Sequence, residues 1–408
     1  MAGDLRLPAK AAELVTRIRE SGAPVVLFGA GDIGRVAWWA LTRAGVPVSA
    51  FHDGRETKHG TTLLGLPVRS PEDLASVRRD AHVFVCGNYL FTMPRKLAEM
   101  GFTNVHDCAG LLDGLDLTGG EFGIDPVLAE RKVALHVRET QKAREARENQ
   151  LVLKYLDVVV TEACSMKCQD CSNLMQYYTK PRHSDLDLVR SAVDRIMESI
   201  DRIYEFRVLG GEPFVNPRVH RVVDQLTAYS SVEKVVLYTN ATIVPKGETL
   251  RSLLHPKVVV DITNYGQHSR KLDQLVEVLS ENNIAHVVKI PEWTDSGRLR
   301  FVPRAPEVLD DMFDNCCVND ILTLLNGKLY RCPFSANGTN LGAIPEAEDE
   351  VVDLTGDLAG VQLRERLEAL YTRRKHLTAC QYCNGRDFRT PRVEPAIQTR
   401  RPLPLSVV

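Results

Sequence analysis

Eight of the ten cysteines in this 408-residue chain fall in tight groups: Cys164/Cys168/Cys171, Cys316/Cys317/Cys332 and Cys380/Cys383. Only Cys86 and Cys108 stand alone. Ten thiols are few for a disulfide framework in so long a chain, and grouped thiols in a reducing compartment point to metal. The first group is the most specific. Cys164-Ser-Met-Lys-Cys168-Gln-Asp-Cys171 sets three thiolates on one short loop. Three such ligands can hold three irons of a cubane and leave the fourth open as a substrate site. The plain alternative is structural zinc, which normally takes four ligands.

The elements that must position these thiols alternate in the manner of parallel βα units. Strands are expected at 154–160, 205–209, 234–238, 257–262 and 286–290, with helices at 185–203, 217–229 and 270–281. In the first helix Val189, Val193, Ile196, Met197 and Ile200 recur at helical spacing, with Ser184 and Asp187 as the N-terminal capping pair. The three-cysteine loop follows the first of these strands, at the C-terminal edge where parallel sheets place their chemistry. Further on, Asn326-Gly327 between 321–325 and 328–332 signals a two-residue hairpin turn, and a helix is expected near 361–373.

The CxxxCxxC loop behind a first strand resembles the radical SAM superfamily, over roughly residues 151–300 as a partial (β/α)6 barrel. The resemblance implies a 4Fe-4S cluster on Cys164, Cys168 and Cys171, whose open iron chelates S-adenosylmethionine for reductive cleavage. Gly210-Gly211-Glu212-Pro213 looks like the family's GGEP motif, which implies contacts to the methionine amino group. Thr239 and Asn240, after the third strand, and Asp261, at the fourth, resemble further cofactor-facing positions. The residue before the third cysteine is commonly aromatic in the family, and here it is Asp170.

Cys317, Cys332, Cys380 and Cys383 resemble the auxiliary-cluster modules called SPASM or twitch, in the shorter form that needs four thiolates for a second 4Fe-4S cluster. A cluster with cysteine on every iron has no open site, so its role is to move electrons, and the resemblance implies that it accepts one from a substrate radical, a two-electron oxidation overall. Zinc is again the structural alternative. Cys316 is one thiol too many: a ligand in place of Cys317, a buried thiol without a role, or a hydrogen donor that would make the enzyme an epimerase.

Nearer the N-terminus, Gly29, Gly31 and Gly34 follow a strand and open a helix, with Asp53 at the end of the next strand. That is a nucleotide fingerprint: phosphate on the helix N-terminus and a ribose hydroxyl on Asp53. The unit is only half a dinucleotide fold, and with Leu64-Gly65-Leu66-Pro67-Val68 it resembles Rossmann-like domains of sugar-modifying acyltransferases. A scaffold or dimerising role competes with nucleotide or nucleotide-sugar binding.

The fold expected is therefore α/β: a half-Rossmann domain over 1–115, a connecting helix over 116–150, the partial radical SAM barrel over 151–305, a twitch-like region with a β-hairpin over 306–390, and an irregular proline-rich tail over 391–408. Basic and acidic residues nearly balance at 51 and 53, which gives no reason to expect nucleic acid or an anionic membrane as partner. With no apolar span and no signal-like N-terminus, a cytoplasmic location is expected. The function expected is radical oxidation of a polar small molecule, a sugar, aminocyclitol or nucleotide-sugar, with flavodoxin or ferredoxin as reductant. The competing readings are a radical epimerase, a peptide-modifying enzyme, and a pyridine-nucleotide dehydrogenase with structural zinc.

Overall fold

The computed structural model describes residues 7–87, 93–145, 150–318, 320–373, 375–386 and 390–405. Residues 146–149 of the connecting helix expected over 116–150 lie outside these. The chain divides into two compact units, Met1–Asn149 and Gln150–Val408.

In the first unit the strands are β1 (Val25–Phe28), β2 (Val48–His52), β3 (Thr62–Leu63), β4 (Leu66–Arg69), β5 (His82–Val85) and β6 (Asn104–Asp107). They form one sheet in the order β3-β4-β2-β1-β5-β6, parallel except for the β3–β4 hairpin. Helix Pro126–Glu145, expected as a connector, instead packs Ala129, Val133 and Val137 into this unit's own core. The sparse apolar residues of that helix are enough because one narrow stripe suffices against a single neighbour face. Cys86 and Cys108, isolated in sequence, meet in this unit with their sulfurs 2.7 Å apart.

The second unit is built on β7 (Val152–Val159), β8 (Arg202–Leu209), β9 (Val232–Thr239), β10 (Val258–Thr263), β11 (His286–Lys289), β12 (Trp293–Thr294), β13 (Ile321–Leu325), β14 (Lys328–Tyr330), β15 (Val351–Asp353) and β16 (Arg392–Val393). Its main sheet runs β11-β10-β9-β8-β7-β13-β14-β15. The strands from β11 to β7 are parallel neighbours, and β13 continues the parallel array beside β7. Expectation placed the hairpin in a separate auxiliary region; its first strand is instead the sixth parallel strand of the sheet. The hairpin turn itself is as the dipeptide requires, with Asn326 at φ 50° and Gly327 at φ 77°.

One face of the sheet is a hydrocarbon core. Leu156, Val158, Phe206, Val208, Val235, Leu237, Val260, Ile262, Leu322 and Leu324 pack there with helices Leu186–Ser199, His220–Ala228 and Leu272–Glu281. The N-cap of the first helix is Asp185, whose carboxylate accepts from the amides of Asp187 and Leu188 at 3.0 and 3.3 Å. Ser184, the expected cap, is drawn one step back because its hydroxyl donates to Val159 O at 2.7 Å. Helices Pro306–Asp314 and Pro333–Asn340 were not expected from the sequence; both start on a proline at the first turn.

Candidate active site

Since side chains alternate along a strand, the residues between the core positions face the other side. That second face carries Tyr155 and Asp157 on β7, Glu205 and Arg207 on β8, Lys234 and Tyr238 on β9, Asp261 on β10, Lys289 on β11 and Thr323 on β13. Parallel strands covered on both sides are ordinarily apolar throughout, so this concentration of charge demands a reason. Glu205 is fully engaged: Arg207 Nε at 2.8 Å, Lys234 Nζ at 2.6 Å and the Tyr238 hydroxyl at 3.4 Å all donate to it. The Arg207 guanidinium also lies 3.8 Å above the centre of the Tyr155 ring. Asp261 is taken by Lys289. Two groups are left over. Asp157 Oδ1 and Thr323 Oγ1, on residues paired in register across β7 and β13, are buried with no hydrogen-bond partner among the described residues. Burial raises the Asp157 carboxyl to about 7, opposed by Arg207 and Arg386 and reinforced by Glu205.

The three-cysteine loop leaves the end of β7, above this face. Cys164, Cys168 and Cys171 pack with Met166, Ala396, Tyr265 and Trp293 in one small cluster. The Met166 amide points at Cys164 Sγ from 3.4 Å, Asn240 Nδ2 from 3.7 Å, and Gln398 Nε2 reaches Cys168 Sγ at 3.2 Å. Burial pushes the Cys168 thiol up to about 11, and raises Cys164 and Cys171 as well.

The expected GGEP motif is locked onto that loop. A Cβ on Gly211 would sit 2.2 Å from Ala163 O and 2.7 Å from Cys164 Cβ, and one on Gly210 2.2 Å from Thr161 O, so both positions exclude any side chain. The amides of Gly211 and Glu212 donate to Thr161 O and Ala163 O, each at 2.9 Å. The Glu212 carboxylate is 1% exposed and accepts from Thr239 Oγ1 at 2.9 Å, Asn240 N at 2.8 Å and Phe214 N at 3.3 Å. Burial raises it to about 7 despite those three donors. Expectation gave Glu212, Thr239 and Asn240 to a ligand; here their mutual bonds tie the exits of β7, β8 and β9 into one platform. Pro213 continues it as the first residue of the short helix Pro213–Val215. Asp170, the non-aromatic residue before Cys171, pairs with Arg298 at 2.8 Å.

A second set of thiols lines one apolar pocket: Cys316, Cys332, Cys380 and Cys383, with Phe313 and Arg386. The expected ligand Cys317 is not among its walls; its thiol hydrogen-bonds that of Cys316, which together with the nearby Arg386 lowers its pKa, and its amide donates to Arg386 O at 3.2 Å. Cys332 caps helix Pro333–Asn340 and accepts from Ser335 N at 3.3 Å, while Cys380 Sγ accepts from Leu377 N at 3.4 Å.

Both sulfur sets suit a cluster by donor chemistry: backbone amides and a helix N-terminus aimed at sulfur stabilise thiolates. Among the described residues no three Cys, His, Asp or Glu side chains are placed to hold a single metal ion. Ligands of one zinc ion stand about 3.8 Å apart around a 2.3 Å bond, whereas thiolates on separate cubane corners are spread more widely.

In the first unit the glycine fingerprint is used internally. A Cβ on Gly29 would lie 2.1 Å from Cys86 O and one on Gly34 2.0 Å from Gly29 O, while Gly31 faces open space near Arg55. Asp53 is not presented to a ribose: its carboxylate accepts from Ala30 N at 2.7 Å and from Arg55 N and Nε at 2.9 and 3.1 Å.

Sequence reasoning missed Asp157, Arg207, Thr323 and Gln398. The first two had a signal, polar residues at alternate positions of KYLDVVV and EFRVL; Thr323 and Gln398 had none.

Residues 155–285 match the family model described as a 4Fe-4S single cluster domain. A GTP 3',8-cyclase of Alkaliphilus metalliredigens (strain QYMF) is 26% identical over 141 residues, covering 31% of this chain and 43% of that protein. The chain thus spans less than half the length of this curated relative. Among solved structures, BtrN in complex with AdoMet and 2-DOIA superposes at TM-score 0.37 and 14% identity over 57% of this chain and 93% of its own. Native anSMEcpe with bound AdoMet does so at TM-score 0.37 and 12% identity, over 57% and 82%. The 4Fe-4S model falls on the segment that sets Cys164, Cys168 and Cys171 behind β7 and Gly210–Pro213 behind β8, and the likeness to these proteins rests on that segment.

Proposed function

We propose that this protein oxidises a C–H bond of a polar small molecule, with Cys164, Cys168 and Cys171 holding the S-adenosylmethionine cluster and a second cluster in the pocket of Cys316, Cys332, Cys380 and Cys383. A cluster held by Cys164, Cys168 and Cys171 would supply the electron for reductive cleavage of S-adenosylmethionine, and with it the radical that removes a hydrogen atom from substrate. Oxidation then requires loss of one further electron and one proton from the substrate, and a cluster held by Cys316, Cys332, Cys380 and Cys383 would supply the electron acceptor. A flavodoxin or ferredoxin is the reductant the reading requires.

The observation that carries the substrate class is the pair of buried, unpartnered polar atoms beneath the cysteine loop, Asp157 Oδ1 and Thr323 Oγ1. Leaving a buried acceptor or donor unmade costs about 1–3 kcal/mol, and a ligand bearing hydroxyl or ammonium groups removes that cost. Arg207 supplies a fixed cation beside them. Such alternation of donors and acceptors suits a sugar, aminocyclitol or nucleotide-sugar better than an apolar peptide side chain. In this reading Cys316 is a cluster ligand and not the hydrogen donor that an epimerase would need.

No helix among the described residues is long and apolar enough to cross a membrane, in keeping with a small-molecule substrate met in water. Anaerobic reconstitution and iron counting test the reading. Wild type should hold about eight irons and the Cys164/Cys168/Cys171→Ala variant about four, with 5'-deoxyadenosine formation abolished. Colourless, zinc-loaded protein that turns over would refute it.

A further inference from the structure

The C-terminal segment, expected to be irregular, is laid against the cysteine loop. It enters through β16, which pairs antiparallel with β12, Trp293 opposite Val393. Ala396 then takes φ 60° and is 3% exposed, packed against Met166 and Cys168. The next three residues add a strand to the loop: Gln169 N donates to Ile397 O and Thr399 N to Lys167 O, each at 2.7 Å, with Cys168 bridged to Gln398. Leu403 N closes the far end on Gln176 O at 2.8 Å.

The Gln398 carboxamide sits at the centre of this ladder with every atom assigned. Its Oε1 accepts from Lys167 N at 2.8 Å, and its Nε2 donates to Ala396 O at 2.7 Å and to Cys168 Sγ at 3.2 Å. Flipping the amide would turn an oxygen toward both a carbonyl and a sulfur, so the orientation is fixed by its neighbours. A donor aimed at a cluster thiolate stabilises negative charge on it, more so in the reduced state, and raises the reduction potential.

We propose that residues 395–399 are a built-in cover strand for the S-adenosylmethionine cluster and that Gln398 is a positioning residue that sets this cluster's reduction potential. The inference rests on the reading of Cys168 as a cluster ligand. The strand consumes the amides on both sides of Cys168, which would otherwise be open to water, and it places the carboxamide as the side-chain donor to that sulfur. The same contacts make residues 395–399 part of the site rather than an appendage.

The test uses full-length, anaerobically reconstituted protein, wild type against Gln398→Leu and Gln398→Glu. An EPR-monitored redox titration follows the cluster signal that changes when S-adenosylmethionine is added. Both variants should keep about eight irons. At a fixed potential the ratio of reduced to oxidised cluster should fall about three- to tenfold, a midpoint lower by up to about 59 mV for one electron. A chain ended after Glu394 should lose the same signal faster in air and exchange the amides of 165–171 faster in cluster-free protein. Unchanged midpoints in both full-iron variants, or unchanged exchange on truncation, would overturn the proposal. Wild type with only four irons, unaltered by removing Cys164, Cys168 and Cys171, would instead overturn the ligand assignment beneath it, and the cover strand's role with it.

Discussion

Asp157→Asn isolates the cost of a charged group held for a ligand. The carboxyl is 3% exposed, lies between β8 and β13, and leaves Oδ1 without a partner among the described residues. Groups bearing on it are Arg207, Arg386, Glu205 and Tyr238. Burial lifts it from 3.8 to about 7. Between those values the folded protein retains a proton that the unfolded chain has released, so stability falls as pH rises across that window. The displacement is equivalent to on the order of 4 kcal/mol at full ionisation. Asparagine cannot ionise, so the variant should match wild type near pH 4 and exceed it progressively up to pH 8. Even half the full value, about 2 kcal/mol, raises Tm by roughly 4–8 °C in a domain of this size. Melting both proteins at half-unit steps from pH 4.5 to 8, in the same reconstitution state, reads this directly. A Tm difference that is flat with pH, or one that shrinks toward pH 8, would show that Asp157 is satisfied in the folded protein and that no ligand group is needed opposite it. The same substitution should abolish substrate oxidation while S-adenosylmethionine cleavage without substrate persists.

Two further substitutions probe the sulfur sites. Gly211→Ala forces a methyl against backbone at Ala163 O and against Cys164 Cβ, so it should cost about 2–4 kcal/mol and prevent the loop cluster from assembling; full iron loading in this variant would show that the loop has slack. Cys316→Ser should lower iron from about eight to about four whereas Cys317→Ser should leave it unchanged, and the reverse outcome would return the fourth ligand to Cys317.

What the sequence disclosed was governed by how local the cause was. The three-cysteine loop and the GGEP turn are short, and each sits directly behind a strand of strongly apolar residues, so order alone located them. The Asn326-Gly327 hairpin was legible because only a few dipeptides tolerate two consecutive positive φ angles. Its membership in the parallel sheet was not legible, since pairing of β13 with β7 depends on chain more than 150 residues away. The choice between Cys316 and Cys317 was not legible for a related reason: the two thiols are adjacent and hydrogen-bond each other, and only the surrounding helix and the 380–383 turn put Cys316 on the pocket wall. Asp53 kept its place in the glycine fingerprint, yet Ala30 N and Arg55 had already claimed its oxygens. Gln398 belongs to a proline-rich stretch whose composition says nothing about what it touches.

The pairing of β13 with β7 has a mechanical corollary. The loop that carries Cys164 springs from β7, and Cys332 follows β14, the hairpin partner of β13, so both sulfur sets are mounted on one ladder with β13 between their strands. Their separation is thereby set by the register of that ladder along the strands as well as by its spacing across them, about 4.8 Å per strand, and not by a hinge. A one-residue slip along Ile321–Leu325, which would swap the two faces of that strand, would shift one sulfur set against the other and carry Thr323 away from Asp157 in a single stroke.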